Sequence, residues 1–497
     1  MLSVISEGLE LALDPTALLA GAIGVLLGMF FGALPGLTST MGVALLIPLT
    51  FTLDPIVALS AILGLYVSGV YAGSLTATLI GTPGTAAAAA TLLEGPHMRD
   101  KGETRKALSM TTIASFIGGL FSCIVLILVA PQLAKIALSF GPPEYFALGF
   151  FGLSIVAGIS SDQLLKGIIA ALIGLWISTI GLDPNTGIPR MTFESNNLLN
   201  GIELVPALVG LFAISEVLLR LEKIMNSKSN KIRINKTGVR LNELTANTFN
   251  FLRSSAIGTF IGIIPATGSG IASFIAYNES KRFSKKPEKY GTGHLPGLVA
   301  TETANNAVTG GALVPLLTLG IPGDVITAVI LGALMMQGLT PGPELFTKHS
   351  DIISGLFITL VIVNLFLLIL GLLAIRLFPY LLKIKEGILM PMIISLCVIG
   401  SYAINNSTFD VIVTLVFGLL GYVLIKGGFP LAPLLLALIL APIIEKNFRN
   451  AMVLSKGGLS IFFTRPISLI FILITFAVFA SIIYKGIKNR DQKQVEC

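Results

Sequence analysis

An acid and two adjacent amides lie at the head of one apolar segment, in the stretch ATETANNAVTGGALVPLL. Glu302 supplies a carboxylate there, and Asn305 and Asn306 supply amide oxygens. Such groups are costly inside a membrane helix unless they bind something, and oxygen ligands suit a hard cation such as sodium. We therefore predict that Asn305 and Asn306 bind a cation; a cap at the cytoplasmic membrane edge is the alternative for this stretch. Asp324, which follows a Pro-Gly pair, is either a further ligand of the cation or a helix N-cap.

Glycines and hydroxyls cluster beside prolines in FFGALPGLTSTMG, IGTPGT, GIIPATGSG and LGIPGD. Breaks of this kind leave free backbone N–H groups at the start of the following half-helix, which suits an anion such as a carboxylate. The alternative is that the small residues only allow close helix packing, as we expect for the alanine run at 86–90. The predicted substrate ligands are Gly36, Thr38, Ser39, Thr40, Thr82, Gly84, Thr85, Thr267, Gly268, Ser269 and Gly323.

These clusters recur in the same order in the two halves of the chain. The Gly-x-x-Pro run from Gly32 matches the run from Gly262, at an offset of 230 residues, and the Gly-x-Pro-Gly run from Gly81 matches the run from Gly320, at an offset of 239. We infer an internal duplication. Basic residues follow the first cluster only in the second half, and they follow the second cluster mainly in the first half. Because basic loops face the cytoplasm, this swap predicts two repeats of inverted topology with a transport site between their paired breaks.

The composition places the clusters in a membrane. The 497 residues are 54% hydrophobic and only 12% charged, the mean hydropathy is +0.88, and a run such as 55–93 carries no charge at all. Apolar runs alternating with short polar loops favour helices over a barrel, so we predict an all-α polytopic membrane protein with roughly ten to twelve membrane segments. Asp14, Asp54 and Asp183 each precede a proline and are predicted to start helices.

Four basic stretches, beginning near Arg99, Lys223, Lys281 and Lys485, set the predicted orientation. We place all four in the cytoplasm and the N-terminus outside. The apolar segment 254–278 lies between two of them, so it is predicted to be a re-entrant hairpin of two short helices around a break. The predicted organisation is a first membrane repeat over 1–222, a basic cytoplasmic linker over 223–253, a second membrane repeat over 254–484 and a cytoplasmic tail over 485–497.

The sequence carries no motif of an enzyme or an ATP-driven pump. It lacks the phosphate-binding pattern G-x-x-x-x-G-K-[ST], and it has neither H-E-x-x-H nor G-x-S-x-G. Its three cysteines show no paired spacing, so neither a disulfide framework nor a zinc site is indicated. We expect no enzyme activity and no cofactor, with energy for transport coming from a gradient of Na⁺ or H⁺. A channel or a structural membrane scaffold remains an open alternative.

Four long stretches carry a resemblance to a known family: GALPGLTSTMGVALLIPLTF, YAGSLTATLIGTPGTAAAAATLLEGPHMRDKGETRKAL, GIIPATGSGIASFIAYNESKR and ETANNAVTGGALVPLLTLGIPGDVITAVILGALMMQGLTPGPELF. They resemble the large membrane subunit of the tripartite tricarboxylate transporters, over most of the chain. The resemblance implies a multi-pass secondary transporter of the inner (cytoplasmic) membrane that takes up citrate or related carboxylates with sodium or protons. It also implies two partners, a small membrane subunit and an extracytoplasmic solute-binding protein. A stand-alone ion-coupled permease that needs no binding protein is the alternative.

Two positions depart from the pattern of that family. Ala266-Thr267 stands where a further glycine is usual, and Asp324 stands where a small neutral residue is usual. An acid at the latter position would repel a carboxylate unless a cation were paired with it, so these departures bear on the substrate and on the number of coupled ions.

Overall fold

The computed structural model describes residues 2–34, 37–159, 164–183, 186–223, 238–265, 267–378 and 386–478. Within them the chain is almost entirely helical, and the only sheet is a two-stranded antiparallel hairpin. Seven described helices are long and apolar enough to cross a membrane, and five shorter helices are also apolar. The prediction of an all-α polytopic membrane protein is confirmed.

Up to residue 223, the described residues form ten α-helices, the hairpin, a 3-10 helix, a 3-10 turn and a π-helical turn. The α-helices are α1 (Leu2–Leu13), α2 (Pro15–Ala33), α3 (Ser39–Thr50), α4 (Pro55–Ile80), α5 (Gly95–Asp100), α6 (Thr104–Ala137), α7 (Pro142–Ile159), α8 (Leu164–Ser178), α9 (Leu204–Val209) and α10 (Ser215–Lys223). The remaining elements are a 3-10 helix (Ala86–Leu93), strands β1 (Gly181–Leu182) and β2 (Pro189–Arg190), a 3-10 turn (Asn196–Leu198) and a π-helical turn (Gly210–Ile214).

From residue 238 onward, the described residues form helices that are joined by loops, with no strand among them. The helices are α11 (Leu241–Ala246), α12 (Thr248–Ile263), α13 (Gly268–Arg282), a 3-10 turn (Pro287–Lys289), α14 (Leu295–Leu319), α15 (Val325–Met336), α16 (Pro343–Lys348), α17 (Ser350–Ala374), α18 (Glu386–Asn405), α19 (Thr408–Lys426), α20 (Leu431–Leu454), α21 (Ile461–Thr464) and α22 (Pro466–Val478).

The chain forms two compact units. Unit 1 comprises residues 1–135 and 212–406, and unit 2 comprises 136–211 and 407–497. In unit 2, α7 and α8 pack against α20, and Gly174 of α8 lies so close to the Leu434 carbonyl that a side chain there would overlap it. Every glycine-proline cluster singled out above belongs to unit 1.

Two of the three predicted Asp-Pro helix starts are confirmed. Asp14 precedes α2 and accepts a hydrogen bond from the Thr16 backbone N–H at 2.8 Å, and Asp54 precedes α4. The prediction for Asp183 is wrong, because this residue follows β1 directly and accepts from the Thr186 N–H at 2.9 Å in a turn. Ion pairs hold its carboxylate there, to Arg449 at 2.8 Å and to Arg190 at 3.5 Å.

The helix-and-glycine packing of unit 1 repeats itself. Gly28 on α2 faces the carbonyl of Leu65 on α4, and Gly258 on α12 faces the carbonyl of Ala304 on α14; a Cβ at either glycine would overlap that oxygen. The two glycines are 230 residues apart and their two partners 239 apart, the same offsets that separate the sequence motifs. The duplication read from the sequence therefore extends to helix packing, while the opposite membrane orientation of the two copies stays a prediction.

One ion pair joins the loop side of α6 to the segment before α12. Lys106 lies 2.5 Å from the Glu243 carboxylate, which also accepts a hydrogen bond from the Arg240 backbone N–H at 2.9 Å. Burial alone would raise the pKa of Glu243, but these bonds outweigh it and hold the pKa below its ordinary value.

Candidate functional site

In the part of unit 1 that the structure describes, a helix break lies at each of the four positions that the sequence clusters predict. One lies between α2 and α3, one between α4 and the 3-10 helix, one between α12 and α13, and one between α14 and α15. Gly81 and Gly320 end α4 and α14 in the left-handed conformation, with φ of 70° and 71°. Only glycine adopts this conformation without steric cost, which explains its presence at both ends. The predicted helix–break–helix form of 254–278 is present, and its re-entry into the membrane remains a prediction.

Glycines also let the breaks of each half pack together. A Cβ on Gly84 would overlap the Gly32 carbonyl near the end of α2. A Cβ on Gly323 would lie 2.6 Å from Ala312 Cα and 2.9 Å from the Gly262 carbonyl. The same contact is thus made in both halves, and the tightness of both leaves these two glycines no room for a side chain. Gly36, another predicted substrate ligand, lies outside the described residues.

The acid and the amide pair of α14 are fully buried. Glu302, Asn305 and Asn306 each have 0% exposure. The amide nitrogens donate to two carbonyls of α4, from Asn305 to Val70 at 3.3 Å and from Asn306 to Val67 at 3.1 Å. Both amide oxygens lack a hydrogen-bond partner. Two buried acceptors without a protein partner on one helical turn are expensive unless another group binds them.

Glu302 lies about two turns inside α14, which begins after His294. One of its oxygens accepts a hydrogen bond from Thr91 of the 3-10 helix, and the other, Oε2, has no partner. Glu302 is therefore not the cap of α14, because its carboxylate lies within the packed helix and contacts the other half of the duplication; its depth in the membrane stays a prediction.

Asp324 is the N-cap of α15. Its Oδ1 accepts from the Thr327 N–H at 2.7 Å, and the Asp324 backbone N–H donates to the Thr327 hydroxyl at 2.8 Å, which completes a capping box. Its Oδ2 accepts from the hydroxyl of Tyr66 on α4 at 3.1 Å. Of the two roles that the sequence left open, the structure displays the cap.

The hydroxyls of the first two clusters differ in what they contact. Thr38 caps α3 by accepting from the Met41 N–H at 3.1 Å. Ser39 and Thr85 each bring a buried, unpartnered hydroxyl against α4, at Gly69 and at Gly73 respectively. The hydroxyls enter these places because the glycines have no side chain. Among the other predicted ligands in these clusters, Thr40 is half-buried and Thr82 is exposed.

The third cluster is arranged differently. The hydroxyl of Thr267 donates to the carbonyls of Ile261 at 2.5 Å and Ile264 at 2.8 Å, at the C-terminal end of α12. The N-terminus of α13 has no side-chain cap, and it begins at Gly268 in the left-handed conformation with Ser269 half-buried beside it. This half-helix therefore presents uncapped backbone N–H groups, while α3 and α15 already have side-chain caps.

Several of these groups meet along one stretch of α4, residues 66–74. Tyr66 contacts Asp324, the carbonyls of Val67 and Val70 bind the two asparagines, and Gly69 and Gly73 face the hydroxyls of Ser39 and Thr85. Nine helical residues extend over about 12 Å. This short segment is thus in contact with side chains from three of the four breaks, namely Ser39, Thr85 and Asp324, and with the two asparagines of α14. Thr267 is not among them, since its hydroxyl binds α12.

Glu94 is a buried carboxylate that the sequence reasoning missed. It directly follows the 3-10 helix and accepts four hydrogen bonds, all from the second half of the chain. The donors are the Tyr277 hydroxyl at 2.9 Å and the backbone N–H groups of Gly291 at 2.7 Å, Gly293 at 2.7 Å and His294 at 2.6 Å. One feature of the sequence could have identified Glu94, since it is the first charged residue after the uncharged run 55–93.

The family model of the tripartite tricarboxylate transporter TctA family matches residues 18–436. The chain belongs to this family. A protein of Agrobacterium vitis described as "Uncharacterized 52.8 kDa protein in TAR-I ttuC' 3'region" is 36% identical over 493 residues, covering 99% of this chain and 98% of its own length. A second, "Uncharacterized protein in TAR-II ttuC' 3'region" from the same organism, is 42% identical over 211 residues, covering 42% of this chain and 87% of its own. No solved structure matches.

Membership of the TctA family gives the chain its general role. The family implies that it is the large subunit of a tricarboxylate transporter, and its apolar helices make it a multi-pass membrane protein. The family and the helical membrane fold indicate a transporter rather than an enzyme. Among the described residues, no group of three or more His, Cys, Asp or Glu side chains is placed to hold a metal ion.

Proposed function

We propose that this TctA-family chain takes up tricarboxylates or related carboxylates across the inner (cytoplasmic) membrane, driven by a gradient of sodium or protons. In this proposal it works with a small membrane subunit and with an extracytoplasmic solute-binding protein that delivers the substrate. The observation that carries the ion-coupled part is the buried trio Glu302, Asn305 and Asn306, each with an unpartnered oxygen beside the paired helix breaks. Oxygens of this type bind hard cations, and intramembrane acids usually belong to ion pathways.

The substrate carboxylates would be bound by the half-helix N-termini and the hydroxyls near them. The uncapped N-terminus of α13, with Gly268 and Ser269, is the best candidate for a first carboxylate, because its free N–H groups and dipole favour negative charge. The N-terminus of α15 already holds the Asp324 carboxylate. The buried, unpartnered hydroxyls of Ser39 and Thr85 are available to donate to a second carboxylate.

Alternating access would follow from a displacement of the helices that carry the breaks. Helices interrupted at corresponding positions of two repeats are typical of secondary transporters, in which the substrate stays at the breaks while the protein moves around it. An elevator-type displacement is the version we propose, by analogy with other carriers that contain re-entrant hairpins.

The test is uptake of radiolabelled citrate and of several dicarboxylates into proteoliposomes. The chain is reconstituted with the small membrane subunit, with and without the binding protein, and with Na⁺, H⁺ or no ion gradient. Uptake that needs both the binding protein and a cation gradient is the expected result. Uptake by this chain alone would instead establish a stand-alone permease, and equal uptake without any gradient would contradict ion coupling.

A further inference from the structure

The duplicated helices α4 and α14 share their packing but not their polar side chains. At the offset of 239 residues, Glu302 of α14 corresponds to Leu63 of α4, Asn305 to Tyr66, and Asn306 to Val67. The acid and both amides are therefore present in one copy only.

The three α14 side chains form one cluster. Their spacing of three and four residues places them on one face of the helix, where side chains are neighbours. Each has 0% exposure and each contributes one oxygen without a partner: Oε2 of Glu302, Oδ1 of Asn305 and Oδ1 of Asn306. The amide nitrogens are engaged by α4 carbonyls, which leaves the oxygens as the free ends.

The charge of the cluster is not balanced by a side chain. In the described part of the chain, no Lys, Arg or His forms an ion pair with Glu302. A buried carboxylate without a cationic partner either binds a cation or is neutralised. Two neutral amide oxygens beside it provide further ligands of the kind that Na⁺ takes.

Asp324 is not available for this cluster. Both of its oxygens are engaged, Oδ1 by the first turn of α15 and Oδ2 by the Tyr66 hydroxyl. If Asp324 bound the cation through Oδ1, the capping box of α15 would be broken. Its carboxylate therefore belongs to the architecture of the α14–α15 break.

We propose that Glu302, Asn305 and Asn306 form a site for a single hard monovalent cation, with Glu302 supplying its only charged ligand and Asp324 outside the ligand set. The proposal refines the ion coupling of the proposed function and rests on it for its physiological meaning. It implies one carboxylate-bound cation per chain, because the corresponding positions of α4 carry no acid and no amide. Through Thr91, the same carboxylate contacts the 3-10 helix that begins at the break containing Thr85.

Cation binding is measured on the purified chain in detergent, without substrate or partners. The temperature of thermal unfolding is recorded as NaCl replaces choline chloride at constant ionic strength, and binding of ²²Na⁺ gives the stoichiometry. A ligand that binds only the folded state raises this temperature as its concentration passes the Kd. We expect saturable stabilisation by Na⁺ and one bound ion per chain.

Four variants test which side chains bind the cation. Glu302→Gln keeps the shape of the side chain and is expected to abolish the Na⁺-dependent rise, and Asn306→Ala should increase the half-saturating Na⁺ concentration by about tenfold, as the loss of one charge-assisted contact predicts. Asp324→Asn should leave that concentration unchanged. Asn364→Ala is the matched control for Asn306→Ala, because Asn364 is another fully buried amide with an unpartnered Oδ1, on α17.

Several outcomes would overturn the proposal. They are a wild-type chain that Na⁺, Li⁺ and K⁺ all fail to stabilise, a Glu302→Gln variant that binds Na⁺ as the wild type does, loss of binding in Asp324→Asn, or two bound ions per chain. Because none of these measurements uses a carboxylate, they are independent of the uptake experiment. Specific Na⁺ binding without carboxylate uptake would support the site and contradict the proposed substrate.

Discussion

The four hydrogen bonds of Glu94 permit a prediction whose size follows from the structure. Glutamine has the same shape but only one acceptor oxygen, so in Glu94→Gln the new NH₂ group must face two of the four donors. In one amide orientation these are the N–H groups of Gly293 and His294, which now lie 2.7 and 2.6 Å from Oε2. Hydrogen bonds to a charged group contribute about 1.5–3 kcal/mol each. The variant should therefore lose about 3–6 kcal/mol of the free energy of unfolding of unit 1.

The assay uses the protein's own cysteines. Cys123 and Cys397 are buried in unit 1, with exposures of 1% and 0%, so a fluorogenic maleimide reacts with them only when that unit unfolds. Cys497, which lies outside the described residues, is replaced by serine. Glu94→Gln should lower the unfolding temperature in detergent by several degrees relative to this background.

Glu344→Gln is the matched control for this substitution. Glu344 pairs with Lys348 at 2.7 Å, but both side chains are about two-thirds exposed, at 68% and 66%. An exposed pair of this kind contributes at most about 0.5 kcal/mol. If Glu94→Gln melts within error of Glu344→Gln, the four short bonds do not stabilise unit 1, and the reasoning is refuted.

Three further predictions follow from other parts of unit 1. Gly84→Ala should greatly reduce uptake, because its Cβ would overlap the carbonyl near the end of α2, whereas Gly238→Ala, with open space around it, should transport normally. The lowered pKa of Glu243 stabilises the fold above the unfolded-state pKa and loses this effect as the pH falls through the folded-state value, so Glu243→Gln should flatten the acid limb of a plot of unfolding temperature against pH. In the inverted-repeat topology, Ser350→Cys should react with an impermeant thiol reagent from outside and Ser284→Cys only from inside; labelling of both from one side would contradict it.

The sequence was most informative about the breaks in the helices. Single glycines and hydroxyls also occur inside α4 and α14, but the clusters that combine glycine, proline and hydroxyl residues marked the four breaks, and the left-handed Gly81 and Gly320 occupy equivalent ends. The acid and amides of α14 were visible for the same reason, because such groups stand out in an apolar run. The Asp-Pro pattern was weaker: it starts helices at Asp14 and Asp54, but at Asp183 two arginines hold a turn.

What the sequence could not supply is the pairing of distant groups. Glu94 binds donors that lie about two hundred residues later in the chain, and Tyr66 binds Asp324 across 258 positions. These contacts depend on how α4, α13 and α14 pack, and no local pattern encodes that packing. The alanine run predicted to serve close packing forms a 3-10 helix against α4, α13 and α14, with Ala88 and Ala90 fully buried.

The segments that follow the second break of each half are anchored reciprocally. The 3-10 helix belongs to the first half, yet Thr91 binds Glu302 and the adjoining Glu94 binds the connector before α14. Its counterpart α15 belongs to the second half, yet Asp324 binds Tyr66, and Gln337 donates to the Thr50 carbonyl at 3.1 Å.

Each of these segments thus contacts the opposite half as well as its own, so we expect a shift at one break to affect the other half. A cation bound at Glu302 would act directly on the 3-10 helix through Thr91. Six residues earlier in that segment lies Thr85, with its unpartnered hydroxyl at the break. The proposed ion site and the proposed substrate site are thus connected by one short segment. This connection gives the proposed coupling a direct physical path.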